Sequence, residues 1–98
     1  TKIMPAVTRI GDADVTHCSG MTRAQGSTNV FVNGIGISRE TDVNTLHKKP
    51  PAPCPKHAKG ITTGSNTVKI NGLGCGRVGD PITGCTFVAE GSDDVFAG

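Results

Sequence analysis

The sequence predicts an all-β fold, a small pseudo-threefold body built from short β-hairpins. Three observations lead there: one motif that ends in hairpin-turn residues and occurs three times, a second motif that also occurs three times, and the lack of any sustained 3.6-residue apolar period.

The first motif reads Gly26-Ser27-Thr28-Asn29-Val30-Phe31-Val32-Asn33-Gly34. It returns as Gly64-Ser65-Asn66-Thr67-Val68-Lys69-Ile70-Asn71-Gly72 and as Gly91-Ser92-Asp93-Asp94-Val95-Phe96-Ala97-Gly98. Each copy is a polar turn, a short strand, and an Asn-Gly or Gly that ends it. Asn-Gly suits a type I′ turn because both central residues need positive φ, so Asn33-Gly34 and Asn71-Gly72 are each predicted to join two antiparallel strands. The second motif is Arg9-Ile10-Gly11-Asp12, then Arg39-Glu40-Thr41-Asp42, then Arg77-Val78-Gly79-Asp80. Three copies of one unit in so short a chain predict a pseudo-threefold body, and the frequent Gly and Pro place long loops between strands.

Composition bounds what such a body can do. At 98 residues the chain is expected to form one domain, residues 1–98. A fold of this size buries only about 60–65% of its unfolded surface. Aromatic content is 3%, with three Phe and neither Tyr nor Trp, while Gly contributes 14 residues and Pro 6. That composition cannot build a large apolar core, so a metal, disulfides or a partner surface should help to hold it. The 10 basic and 8 acidic residues, net +2, are scattered and form no basic stripe for nucleic acid. No apolar run is long enough to span a bilayer, and Thr1-Lys2-Ile3-Met4-Pro5 lacks the apolar region of a signal peptide. The four Cys are then expected to stay reduced in the cytoplasm, which favours metal ligation or packing over disulfides.

The second motif also predicts a metal site. Five residues beyond its aspartates stand His17, His47 and Cys85. Equivalent positions of a threefold body surround one axis, so two imidazoles and a thiolate would converge there as three ligands of a tetrahedral site. Such donors favour zinc, with iron next. His57, after the proline-rich run Pro50-Pro51-Ala52-Pro53-Cys54-Pro55-Lys56, is the expected fourth ligand, one ion per chain. Cys54, three residues before His57, is the main alternative ligand. Cys18, next to His17, would point the other way on an extended backbone. Cys75, in Gly74-Cys75-Gly76, reads as a packing residue.

Taken together, Met4-Pro5-Ala6-Val7-Thr8-Arg9-Ile10-Gly11-Asp12, Gly76-Arg77-Val78-Gly79-Asp80-Pro81 and the Gly-Ser strands resemble the PAAR-repeat family, the spike-tip proteins of type VI secretion systems and contractile phage tails. The resemblance covers essentially the whole chain. It implies a short cone of β-hairpins with zinc or iron near the apex, held by three His and one Cys, a set that His17, His47, His57 and Cys85 match. It implies a partner too: a trimeric β-helical spike or phage tail needle, bound by one monomer per trimer and sharpened into a point that is driven through a target membrane.

The middle repeat departs from the family pattern, with Thr41 where a glycine precedes the aspartate and Lys69 in place of the strand aromatic. No appended toxin domain is expected beyond Gly98, and a bare tip is expected, made in the cytoplasm and then placed at the spike tip of a virion tail or a type VI apparatus. Its docking base should be lined by backbone and small or aliphatic side chains. No enzyme is expected. A zinc hydrolase would leave one ligand position open to water and supply a general base, and a Cys54–His57 nucleophile pair would lack an oxyanion hole. The alternative from another class is a zinc-stapled protein-interaction adaptor with no piercing role.

Overall fold

The computed structural model describes residues 4–16, 20–48 and 56–98. Among them there is no helix, and eight two-residue strands pair as four antiparallel hairpins. These are β1 (Phe31–Val32) with β2 (Ile35–Gly36), β3 (His47–Lys48) with β4 (Lys56–His57), β5 (Lys69–Ile70) with β6 (Leu73–Gly74), and β7 (Pro81–Ile82) with β8 (Thr86–Phe87). Two of the four are the Asn-Gly hairpins. Asn33 and Gly34 have φ of 56° and 76°, and Asn71 and Gly72 have 55° and 82°, the left-handed pair that a type I′ turn demands.

The Arg-x-x-Asp motif proves to be a tight turn locked by its own side chains. In all three copies the aspartate N–H donates to the arginine carbonyl at 3.0 Å. The arginine Nε donates back to the aspartate Oδ2, at 2.9 Å in Arg9–Asp12, 2.7 Å in Arg39–Asp42 and 3.2 Å in Arg77–Asp80. A second bond from Nη2 to Oδ1 makes each pair bidentate, the strong geometry for Arg and carboxylate. The third turn position has positive φ throughout: Gly11 at 92°, Gly79 at 90°, and Thr41 at 74°. The backbone of the middle repeat is therefore the same as that of its siblings, and Thr41 carries the strain.

The residues just before these turns tie the three repeats together. Thr8 N–H donates to the Gly76 carbonyl (3.0 Å), Gly76 N–H to the Ser38 carbonyl (2.9 Å), and Ser38 N–H to the Thr8 carbonyl (3.1 Å). That closed cycle is the pseudo-threefold relation expressed in backbone hydrogen bonds. The main apolar cluster follows the same threefold: Val7, Ile37 and Cys75 precede the cycle residues, and Val32, Ile70 and Ala97 occupy matching places in the Gly-Ser strands. Cys75 is thus a core residue, as its sequence setting suggested, and burial pushes its thiol up to about 11.

The Gly-Ser pairs close a second ring. A Cβ on Gly26, Gly64 or Gly91 would stand 2.6–2.8 Å from a neighbouring carbonyl oxygen, so only glycine allows the approach. Each following serine is buried and accepts at Oγ the amide N–H of the third residue on: Val30, Val68 and Val95. The same hydroxyls reach across repeats. Ser27 donates to Asn71 Oδ1 and Ser92 to Asn33 Oδ1, each at 2.7 Å, while Ser65 donates to the Gly98 carbonyl. On the outside of this hairpin end, Phe31 and Phe96 hold matching places and are 56% and 50% exposed. The N-terminal segment joins the body through bridges of Ala6 to Phe96 and Val7 to Arg77.

Candidate metal centre

Beyond the turns each repeat runs on into a second pairing of its own: Ala13 with Thr22, Val43 with Gly60, and Pro81 with Phe87. The side chains of interest sit at this end. His47 opens β3 and Cys85 ends the turn between β7 and β8, both five residues past their aspartates. His57 arrives by another route, as the direct cross-strand partner of His47, with ring centroids 4.3 Å apart. Ligand atoms of His47, His57 and Cys85 all lie within 4.8 Å of one another, and the group could hold a metal ion. His17, Cys18 and Cys54 lie outside the described residues.

Two details suit these residues to a metal. His47 Nδ1 is 2.7 Å from the Thr45 carbonyl, which can only accept, so Nδ1 carries the proton and Nε2 presents its lone pair. That Nε2 lies 3.1 Å from Cys85 Sγ. A thiol proton between the two atoms and an ion bound by both are chemical alternatives at such a site. Burial raises the Cys85 thiol above its ordinary value, while the Asn44 hydrogen bond and the charge of Arg23 oppose the rise. Ile61, Ile82 and Val88 form the apolar floor beneath, with Cys85 packed against them. A bound ion would supply a structural cross-link between β3, β4 and the β7–β8 turn, with soft nitrogen and sulfur donors of the kind zinc prefers.

A polar wall adjoins that floor, and sequence reasoning did not single it out. Arg23 Nε lies 3.4 Å from Asp14 Oδ1, and both side chains are 0% exposed. Burial raises the Asp14 carboxyl and lowers the Arg23 guanidinium, and each is the main charge opposing the other's shift. Asn44 Nδ2 donates to Asp14 Oδ2 at 3.0 Å and to Cys85 Sγ at 3.7 Å. The same offset counting that found His47 and Cys85 contains the signal: two residues past the aspartates stand Asp14, Asn44 and Ile82, polar, polar and apolar at equivalent places.

The fold is a threefold β-hairpin body in one chain, with a nitrogen and sulfur donor group at one end that could hold a metal ion. The PAAR motif model matches residues 11–83, and the chain belongs to that family. PAAR proteins are a structural family, and membership implies a spike-tip place in contractile injection systems. None of the curated proteins matches the sequence. Among the described residues no helix is long and apolar enough to cross a membrane.

Proposed function

We propose that residues 1–98 act as one unit that caps and sharpens a trimeric β-helical membrane-puncturing spike, one monomer per trimer, in a phage tail or type VI secretion apparatus. The observation that carries this reading is the closed hydrogen-bond cycle of Thr8, Ser38 and Gly76. A single chain so arranged offers three near-equivalent faces, which is what a monomer must do to satisfy a threefold partner.

The hairpin end is the docking face, with Phe31, Lys69 and Phe96 at matching positions toward the spike. The opposite end carries the ion, zinc or else iron, with His17, His47, His57 and Cys85 as ligands. A closed tetrahedral site there would add on the order of 10 kcal/mol to folding where few side chains can pack. The protein would be made in the cytoplasm, ride at the spike tip and meet the target membrane only in passing.

The test mixes the purified protein with a trimeric β-helical spike and weighs the complex by native mass spectrometry. One cap per trimer, lost in Phe31→Asp and Phe96→Asp, supports the reading. Strong binding instead to partners without threefold symmetry would favour a metal-stapled adaptor that pierces nothing.

A further inference from the structure

The repeats provide internal controls for six buried positions beneath the donor group. Arg23, Ile61 and Val88 are equivalents: each exchanges two backbone hydrogen bonds with its own turn, Arg23 with Gly11 and Asp12, Ile61 with Thr41 and Asp42, and Val88 with Gly79 and Asp80. Asp14, Asn44 and Ile82 are equivalents as well, each two residues past a turn aspartate. All six have 2% exposure or less.

Where these positions are apolar, they make the floor on which Cys85 packs. Where they are polar, they make one connected chain from Arg23 to Asp14 to Asn44, and that chain ends on the Cys85 sulfur. Asn44 Oδ1 accepts the Lys59 N–H at 2.9 Å, which settles the amide orientation and turns Nδ2 toward Asp14 and Cys85. The fold itself accepts Ile and Val at these places, and a buried ion pair carries a desolvation cost that aliphatic side chains avoid. Asn44 also serves one backbone donor, the Lys59 N–H, but the buried Asp14–Arg23 pair costs stability and leads through Asn44 to a sulfur donor, so its use is at that sulfur.

We propose that Asn44 is a positioning residue of the metal centre: its amide, held in place by the buried Asp14–Arg23 pair, donates to Cys85 Sγ and keeps the sulfur directed at an ion shared with His47 and His57. This role rests on the metal reading above. An N–H donor to a metal thiolate fixes the sulfur's direction and makes it harder to protonate, so the ion leaves more slowly.

The test uses cobalt(II) as the probe, because its sulfur-to-metal charge-transfer band reports on the thiolate directly. Wild type, Asn44→Ile and the triple variant Arg23→Val, Asp14→Ile, Asn44→Ile are loaded with cobalt. Each is followed by absorption and by the rate of cobalt release to a chelator. The triple variant copies the side chains of the third repeat and leaves no buried charge behind, so it carries the test if Asn44→Ile alone does not fold.

The expected result is one cobalt per chain in every folded protein, with a shifted charge-transfer band and release about 10- to 100-fold faster in the variants. The chelator-stripped triple variant should melt no lower than the stripped wild type. An unchanged band and release rate in a triple variant that binds cobalt would overturn the role of Asn44 and leave the metal reading standing. A triple variant that cannot fold would make the network a requirement of the fold and overturn the proposal. A wild type that takes up no cobalt would overturn both.

Discussion

Thr41 holds the left-handed backbone, φ 74°, that Gly79 holds at 90° in the equivalent turn. A β-branched side chain is the worst suited to that region, and residues forced into it cost about 1–3 kcal/mol. Glycine loses some of that advantage through its freer unfolded chain, roughly 0.5–1 kcal/mol. Thr41→Gly should therefore stabilise the protein by about 1 kcal/mol, raising the melting temperature by about 4–8 °C. Calorimetric melts of the two proteins check it, and an unchanged or lower midpoint contradicts the strain.

Close approach of backbone to backbone gives the opposite sign elsewhere. A methyl on Gly64 would stand 2.7 Å from the carbonyl oxygens of both Gly74 and Cys75, whereas one on Gly20 meets no atom of the described residues within 4 Å. Gly64→Ala should destabilise by about 1–3 kcal/mol and Gly20→Ala by no more than about 0.5 kcal/mol either way. Urea titrations monitored by circular dichroism distinguish the two, and equal midpoints would refute the packing account.

Glu40 takes the place that Ile10 and Val78 take in the other turns, and its carboxylate accepts N–H bonds from Gly64 at 2.8 Å and Gly74 at 3.1 Å. Those two bonds hold its carboxyl below the ordinary glutamate value. Because the folded value is the lower one, the stabilisation is complete above the unfolded value and is lost as pH falls through the folded one. Glu40→Gln should flatten the stability profile on the acid side of about pH 4.5 while changing its slope little near neutrality. Melting temperatures measured from pH 7 to pH 3 check the sign.

Elemental analysis tests the ligand set. Near one zinc or iron per purified chain is expected, retained in Cys54→Ala and lost in His17→Ala, His47→Ala, His57→Ala and Cys85→Ala. Chelation should lower the melting temperature of the wild type by tens of degrees, as removal of a structural metal does in small domains. Metal kept by Cys85→Ala but lost from Cys54→Ala would reassign the sulfur ligand.

The hairpins at Asn33-Gly34 and Asn71-Gly72 were legible because only a few residue types accept positive φ, and the repeats were legible because their spacing survives every substitution. His47 and Cys85 could be paired by counting from Asp42 and Asp80. The cross-strand pairing of His47 with His57 could not, since two residues ten apart are brought together by a register that no local propensity encodes. The Arg23–Asp14–Asn44 chain went unnoticed for another reason. Charged residues read as solvent-facing one at a time, and only comparison with Ile61, Val88 and Ile82 reveals that they fill core positions.

The ring of Gly-Ser pairs has a temporal side. Its links join residues 44, 59 and 33 positions apart, Ser27 to Asn71, Asn33 to Ser92 and Ser65 to Gly98, so no repeat completes its own hairpin end. Large loops must close before any of these bonds reward the closure, which makes for slow, all-at-once folding with an early barrier. Unfolding meets the same barrier from the other side: one link cannot be released without loosening the next. Durability in such a body is a matter of rate, resting on a slow exit more than on a deep well.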